Sequence, residues 1–277
     1  MRIRLVTLVV FLLLCGPLYG PAASAQIYYV ALGDSLSVGY QPINGGIPTP
    51  QGYADDLWAQ YSTRIPGLTL TKLGCPGETT SSMVQGGICA NYPAGSSQLD
   101  AAISFLKNHQ VALVTLDVGA NDVDGCVSST AIDRTCIDSG FASVSANLPW
   151  ILGQLRKAAG PNTLIVGMNY YDPFLAAWEL GGNGQALALQ SLAAATEFNV
   201  LLGAIYQVFR VPVADVAHAF RIYNFLPVPG ENVPVNVFLT LAWTWMGAPA
   251  PIGPDIHPNA AGYAVIASAF AAKITMP

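Results

Sequence analysis

The sequence predicts an α/β fold built on a parallel five-stranded sheet with helices on both faces. Two observations carry that prediction. Apolar, β-branched runs alternate along the chain with stretches of helical periodicity. Each strand-like run is nearly continuous in apolar character, as it must be when a sheet is covered on both sides. No internal repeat and no linker divides the 277 residues.

The first 25 residues stand apart from this pattern. Arg2 and Arg4 give a positive start, residues 5–14 an apolar centre, and Ala23-Ser24-Ala25 a small-residue cleavage site. That order is a secretory signal peptide, and its apolar centre is shorter than the ~20 residues a bilayer span needs. The expectation is export and cleavage after Ala25, leaving one domain over residues 26–277.

The elements then follow in order. "IYYVALG" (27–33) is the first strand, and residues 51–64 a helix. "LTLTKLG" (68–74) is the second strand, residues 97–109 a helix, and "VALVTLDVG" (111–119) the third strand. A helix over 141–159 leads to the strand "TLIVGMNYY" (163–171). An Ala/Leu-rich helix over 185–209 leads to "VPVADVA" (211–217). Residues 259–274 close the chain as a helix, with Asn259 able to cap it. Stretches 41–51, 81–97 and 122–138 follow strand ends, where open α/β sheets carry their ligand sites. The long loop 223–258 holds an apolar patch, "VFLTLAWTWM" (237–246), read either as a packed helix or as a wall for an apolar substrate chain.

Composition narrows the partners. Hydrophobic residues are 52 % of the chain and charged ones 10 %. Without the two leader arginines, nine basic residues face sixteen acidic ones, a net charge of −7. An acidic chain with no basic cluster excludes nucleic acid and anionic lipid surfaces as natural partners. No further 18-residue apolar stretch is expected, hence no stable membrane insertion. Loss of Cys15 with the leader leaves four cysteines, an even count suited to an oxidising compartment. Four cysteines allow three pairings; proximity favours Cys75–Cys89 and Cys126–Cys136. Their spacings match no metal knuckle, and no histidine lies near them.

Chemistry concentrates at the strand ends. Ser35 stands at the exit of the first strand, in "GDSLSVGY", where a turn can expose its hydroxyl above the sheet. A serine needs a base to become a nucleophile, and histidine is the natural candidate. Of three histidines, His109 ends a helix and reads as structural, and His218 follows the fifth strand. His257 stands in "GPDIHPNAAGY", where Pro258 stiffens the turn ahead of the last helix, and is the expected base. An oxyanion needs donors: the Asn121 amide in "DVGANDVDGC" and the backbone N–H of Gly77 in "LGCPGETT" are the candidates.

These four segments together resemble the SGNH/GDSL hydrolase superfamily over essentially the whole mature chain. The resemblance implies a three-layer α/β/α, flavodoxin-like fold and serine esterase or lipase activity. It maps the nucleophile to Ser35, the oxyanion donors to the N–H groups of Ser35 and Gly77 and the Asn121 amide, and the base to His257. The family motif places an Asp three residues before the histidine, where this chain has Pro254; Asp255 comes two before. The orienting group is therefore Asp255, through a locally different turn, or a backbone carbonyl near Pro254. Asp122 and Asp215 are weaker candidates. No metal or organic cofactor is implied. The expected substrate is a small-molecule or lipid ester with an apolar acyl group, favoured by the uncharged loops at 41–53 and 237–246. A carbohydrate O-acetyl esterase is the alternative. A binding protein that keeps the fold without activity is a further one, marked by loss of Ser35, Asn121 or His257; all three are present.

Overall fold

The computed structural model describes residues 26–276, so the signal peptide expected at 1–25 lies outside the described residues. Among the described residues seven strands occur: β1 (Ile27–Gly33), β2 (Tyr40–Gln41), β3 (Ile47–Pro48), β4 (Leu68–Lys72), β5 (Val111–Asp117), β6 (Leu164–Met168) and β7 (Val213–Ala214). Five form one parallel sheet in the order β4-β1-β5-β6-β7, while β2 and β3 make a small antiparallel ribbon. The central residues of β1, β5 and β6 are buried on both faces, which is why their sequences do not alternate.

Helices cover both sides. The helices α1 (Tyr53–Ser62) and α8 (Ala260–Ala271) pack together on one face, with Tyr53 stacked on Phe270. On the other lie α3 (Gln98–Asn108), α4 (Arg134–Ala158) and α5 (Gly182–Val208), α3 and α5 each packing on α4. Shorter helices are α2 (Thr80–Gln85), α6 (Val216–Ala219) and α7 (Val235–Trp243). A 3₁₀ helix, Pro173–Leu180, precedes α5. The fold is the three-layer arrangement that the motifs implied. The chain passes from β1 to β4 on one side and then back across to β5 on the other. The crevice at this reversal, beyond the carboxyl ends of β1 and β5, is where such sheets bind ligands.

Four expectations need correction. The fifth strand is two residues long, because Asp215 takes the His218 N–H at 3.1 Å and starts α6. The fourth helix begins at Arg134, seven residues early, because Asp133 caps it through the Cys136 N–H at 3.0 Å. The helix Gly182–Val208 is long and apolar enough to cross a membrane, contrary to the expectation of no such stretch. Here it is a covering helix: Leu187, Ala188, Phe198, Leu202 and Tyr206 turn inward, and Gly167 in β6 leaves room for the Tyr206 ring. The apolar patch 237–246 folds as α7 and a 3₁₀ turn, and its part in the site differs from that of a wall, as described below.

The cysteines pair as proximity suggested, Cys75 with Cys89 and Cys126 with Cys136. Each disulfide closes a loop beyond a strand's carboxyl end.

Candidate active site

The turn that carries Ser35 is set by a glycine. Gly33 closes β1 at φ +130°, and a Cβ there would collide with the backbone and carboxyl of Asp117 on β5. The chain then curls so that Asp34 Oδ1 accepts the Leu36 N–H at 2.9 Å, and Ser37 Oγ donates to the Asp34 carbonyl at 2.8 Å. Asp34 and Asp117 lie side by side, both buried, and Tyr53 donates its hydroxyl to Asp117. Burial pushes both carboxyls above the usual range; for Asp34 the Leu36 N–H works the other way, and for Asp117 the neighbouring Asp34 adds to the rise. Ser35 sits on this turn, 7 % exposed, with Oγ 2.9 Å from His257 Nε2.

His257 belongs to a loop rather than a strand end. Its Nδ1 lies 2.7 Å from Asp255 Oδ1, and its backbone N–H donates to that same oxygen at 2.9 Å. Thus a carboxylate, not a backbone carbonyl, faces the far ring nitrogen, and a residue two positions before the histidine reaches it. Burial opposes charge on Asp255, but the hydrogen bonds from His257 outweigh it and hold the carboxyl below its ordinary range. The loop is held at several points. Trp245 N–H donates to the His257 carbonyl at 2.9 Å, and Asp255 N–H to the Trp245 carbonyl at 3.2 Å. The Tyr171 hydroxyl donates to the Ile256 carbonyl at 2.7 Å, and the Tyr40 ring lies 4.3 Å from the imidazole. Asn259 caps α8 through the Gly262 N–H at 3.1 Å.

The donor side is built by turns. Cys75–Pro76–Gly77–Glu78 closes with Glu78 N–H on the Cys75 carbonyl at 3.0 Å, and Gly77 has φ +81°. Proline second and a positive φ third is a type II turn. A Cβ on Gly77 would meet nothing within 4 Å, so backbone conformation, not space, calls for glycine. Asn121 lies in the 3₁₀ turn Ala120–Asp122 after β5, and one of its amide hydrogens is fixed on the Glu78 carbonyl at 3.1 Å. The other is left to the site. Among the described residues, neither the Ser35 nor the Gly77 backbone N–H has an acceptor.

The remaining candidates are elsewhere. His109 ends α3, stacked on Phe105 beside Tyr28, at the opposite end of β1 from Ser35. His218 lies in α6. Asp122 binds the start of α2 through the Thr80 N–H and hydroxyl, both at 2.8 Å, and Asp215 binds Asn169 at 2.8 Å.

Beside Ser35, Asn121 and His257 opens a pocket that is continuous with solvent. Its walls are largely apolar: Val123, Val127, Ile137, Phe141, Phe174 and Phe198. Polar groups interrupt them, Tyr170, Asp124, Asp172, Ser191 and Asn199. Among the described residues the Tyr170 hydroxyl is buried without a partner, and the Asp124 and Asp172 carboxyls are pushed by burial to about 8 and about 7. The loops at 41–53 and 237–246, expected to favour an apolar substrate from the mouth, do not line it. They hold the histidine loop instead: Trp245 Nε1 donates to Gln41 Oε1 at 2.7 Å, and the Trp243 carbonyl accepts the Asn259 N–H at 3.0 Å. Sequence reasoning missed Tyr40, Tyr171 and Trp245 as props of that loop, because nothing local marks a side chain that supports a segment far along the chain.

Residues 31–265 match the model of the GDSL-like lipase/acylhydrolase family. Among solved structures, phospholipase A1 from Streptomyces albidoflavus NA297 is similar with a TM-score of 0.60 at 20 % identity, over 91 % of this chain and 100 % of that one. An extracellular lipase from Streptomyces rimosus gives 0.55 at 19 % identity, over 88 % and 99 %. An acetylxylan esterase from Geobacillus stearothermophilus gives 0.54 at 14 % identity, over 92 % and 97 %. At these identities what is shared is the fold. No curated protein sequence matches the chain.

Proposed function

The chain belongs to the GDSL-like lipase/acylhydrolase family, and from that premise we propose that it is an exported serine hydrolase of carboxylic esters with apolar acyl groups. The observation that carries the reading is the contact of 2.9 Å between Ser35 Oγ and His257 Nε2, continued at 2.7 Å to Asp255. That is a nucleophile within reach of a base which a carboxylate orients.

In the proposed reaction Ser35 Oγ attacks the acyl carbon while its proton passes to His257 Nε2. The charge arising on the carbonyl oxygen is met by the N–H groups of Ser35 and Gly77 and the free amide hydrogen of Asn121. Asp255 holds Nδ1–H and stabilises the imidazolium. Collapse breaks the bond to the alkoxy oxygen, which leaves as the alcohol with the proton from Nε2. Water then repeats the cycle: His257 takes its proton, the hydroxide oxygen attacks the acyl-enzyme, and Ser35 is released with its proton restored.

The apolar pocket supports an acyl chain longer than acetyl, and the two disulfides, with the leader pattern, support export. The test has two parts. A fluorophosphonate should label the wild type and not Ser35→Ala; a wild type that resists labelling would remove the serine-hydrolase reading. On p-nitrophenyl esters, kcat/KM should climb with acyl length by up to about fourfold per methylene, the equivalent of ~0.8 kcal/mol. A flat series, or activity confined to acetylated sugars, would replace the apolar preference with the carbohydrate alternative.

A further inference from the structure

Gln98 and Glu78 are 0 % and 1 % exposed, and Gln98 bonds none of the groups assigned to the reaction. Gln98 is the first residue of α3, behind the Ser97 cap. A buried amide is costly unless its hydrogen bonds are made, and this one makes three. Its Oε1 accepts the Gly33 N–H at 2.6 Å; its Nε2 donates to the Gly33 carbonyl at 2.8 Å and to Glu78 Oε2 at 2.8 Å.

The reason for this geometry lies in the sheet. The pairing of β4 with β1 ends at Lys72 opposite Ala31, two residues short of Gly33. Beyond it the Cys75 N–H still donates to the Gly33 carbonyl at 3.0 Å, and the Gln98 amide supplies the acceptor that the Gly33 N–H would otherwise lack. Glu78 carries the connection onward. Its Oε1 accepts Ser82 Oγ at 2.5 Å, its N–H closes the turn around Gly77, and its carbonyl holds the Asn121 amide at 3.1 Å. An unbroken path thus runs from the backbone two residues before Ser35 to both candidate oxyanion donors outside the nucleophile turn.

We propose that Gln98, acting through Glu78, is a positioning residue that sets the distance between the nucleophile and the oxyanion donors. The inference rests on the esterase reading for its readout. A misplacement of about 1 Å can cost about 10²-fold in rate while leaving ground-state binding alone. Gln98→Met keeps the volume and removes all three bonds. Its kcat on a short p-nitrophenyl ester should fall about 10- to 100-fold, with KM within about twofold of wild type. Gln98→Glu adds a readout that packing alone would not move. Protonated, the new carboxyl can still accept from Gly33 and donate once; ionised, it loses the donor and repels Glu78. The ratio of its kcat to that of wild type, per folded molecule by circular dichroism, should therefore fall about tenfold or more between pH 5.5 and 8.5.

Wild-type kcat in folded Gln98→Met, a loss confined to KM, or a constant ratio for Gln98→Glu would overturn the proposal. Should Gln98→Met fail to fold, the ratio for Gln98→Glu decides. A wild type that neither hydrolyses esters nor labels fails the esterase reading; an active wild type beside an equally active Gln98→Met fails only the positioning.

Discussion

The polar rim at the carboxyl ends of β1, β4 and β5 and the apolar pocket beside it share Ser35, Asn121 and His257 on their border, yet they are built differently. On the rim, groups are placed by turns and directed hydrogen bonds: Gly33 and Gly77 at positive φ, the turn around Gly77, the bond from Asn121 to the Glu78 carbonyl. In the pocket, side chains from α4, α5 and the 3₁₀ helix Pro173–Leu180 are placed by what they pack against. A rim group has one position and one chemistry, whereas a pocket residue has a volume that a neighbour of similar size can supply. Changes on the rim should therefore act on turnover, and changes in the pocket on choice of substrate.

The largest effect belongs to Asp255→Asn. It keeps the shape but cannot both accept from Nδ1–H and stabilise the imidazolium, so kcat should fall about 10³- to 10⁴-fold with little change in melting temperature. A loss below about tenfold would move the orienting role elsewhere. Next is Asn121→Ala, which removes one proposed oxyanion donor and should lower kcat about 10²- to 10³-fold at nearly unchanged KM. A smaller but selective effect belongs to Ala195→Phe, whose ring would enter the pocket. It should cut kcat/KM about tenfold or more on long acyl esters and only about twofold on acetate, since each excluded methylene forfeits ~0.8 kcal/mol. Equal losses on both esters would mean that the acyl chain binds outside this pocket.

The same difference explains what is legible in the sequence. Glycines at forced conformations, a serine at a strand exit and an asparagine in a turn leave local traces, and the parallel five-stranded sheet follows from alternation of apolar runs with helical stretches. The pocket leaves none. Ile137, Phe141 and Phe198 sit on helices at ordinary core spacing, and only the packing of α4 against α5 decides which of them face a gap. Of the two readings of 237–246 the packed helix is the one that holds: Val237 and Thr240 of α7 are fully buried, and no residue of the stretch lines the pocket beside Ser35. Gln98 and Glu78 read as helix-start and turn residues, because their partners are 65 and 20 residues away from Gln98.

The smallest expected effect concerns stability, and it separates the pocket from the rim by sign. Asp172 lines the pocket at 2 % exposure. Burial pushes its carboxyl up to about 7, against the pull of Ser191 Oγ at 2.8 Å and the Phe174 N–H at 3.0 Å. An unfolded aspartate titrates near ~3.9. Between about pH 4 and 7 the folded protein thus holds a proton that the unfolded chain has released, and stability falls as pH rises through that window. Asp124 extends the fall to about 8, and the buried Asp34 and Asp117 tilt the curve the same way. Asp255, held below its ordinary range, acts in the opposite sense, its contribution being lost only as pH drops below about 4. Asp172→Asn keeps the shape and one of the two accepting oxygens, with its NH₂ able to donate to Ser191 Oγ, while abolishing one titration. Its melting temperature should decline less steeply than wild type from pH 4 to 7, the curves diverging by a few degrees at about 2–4 °C per kcal/mol. Parallel curves would mean that Asp172 reaches water and ionises freely, and the pocket would then be wetter than its apolar walls imply.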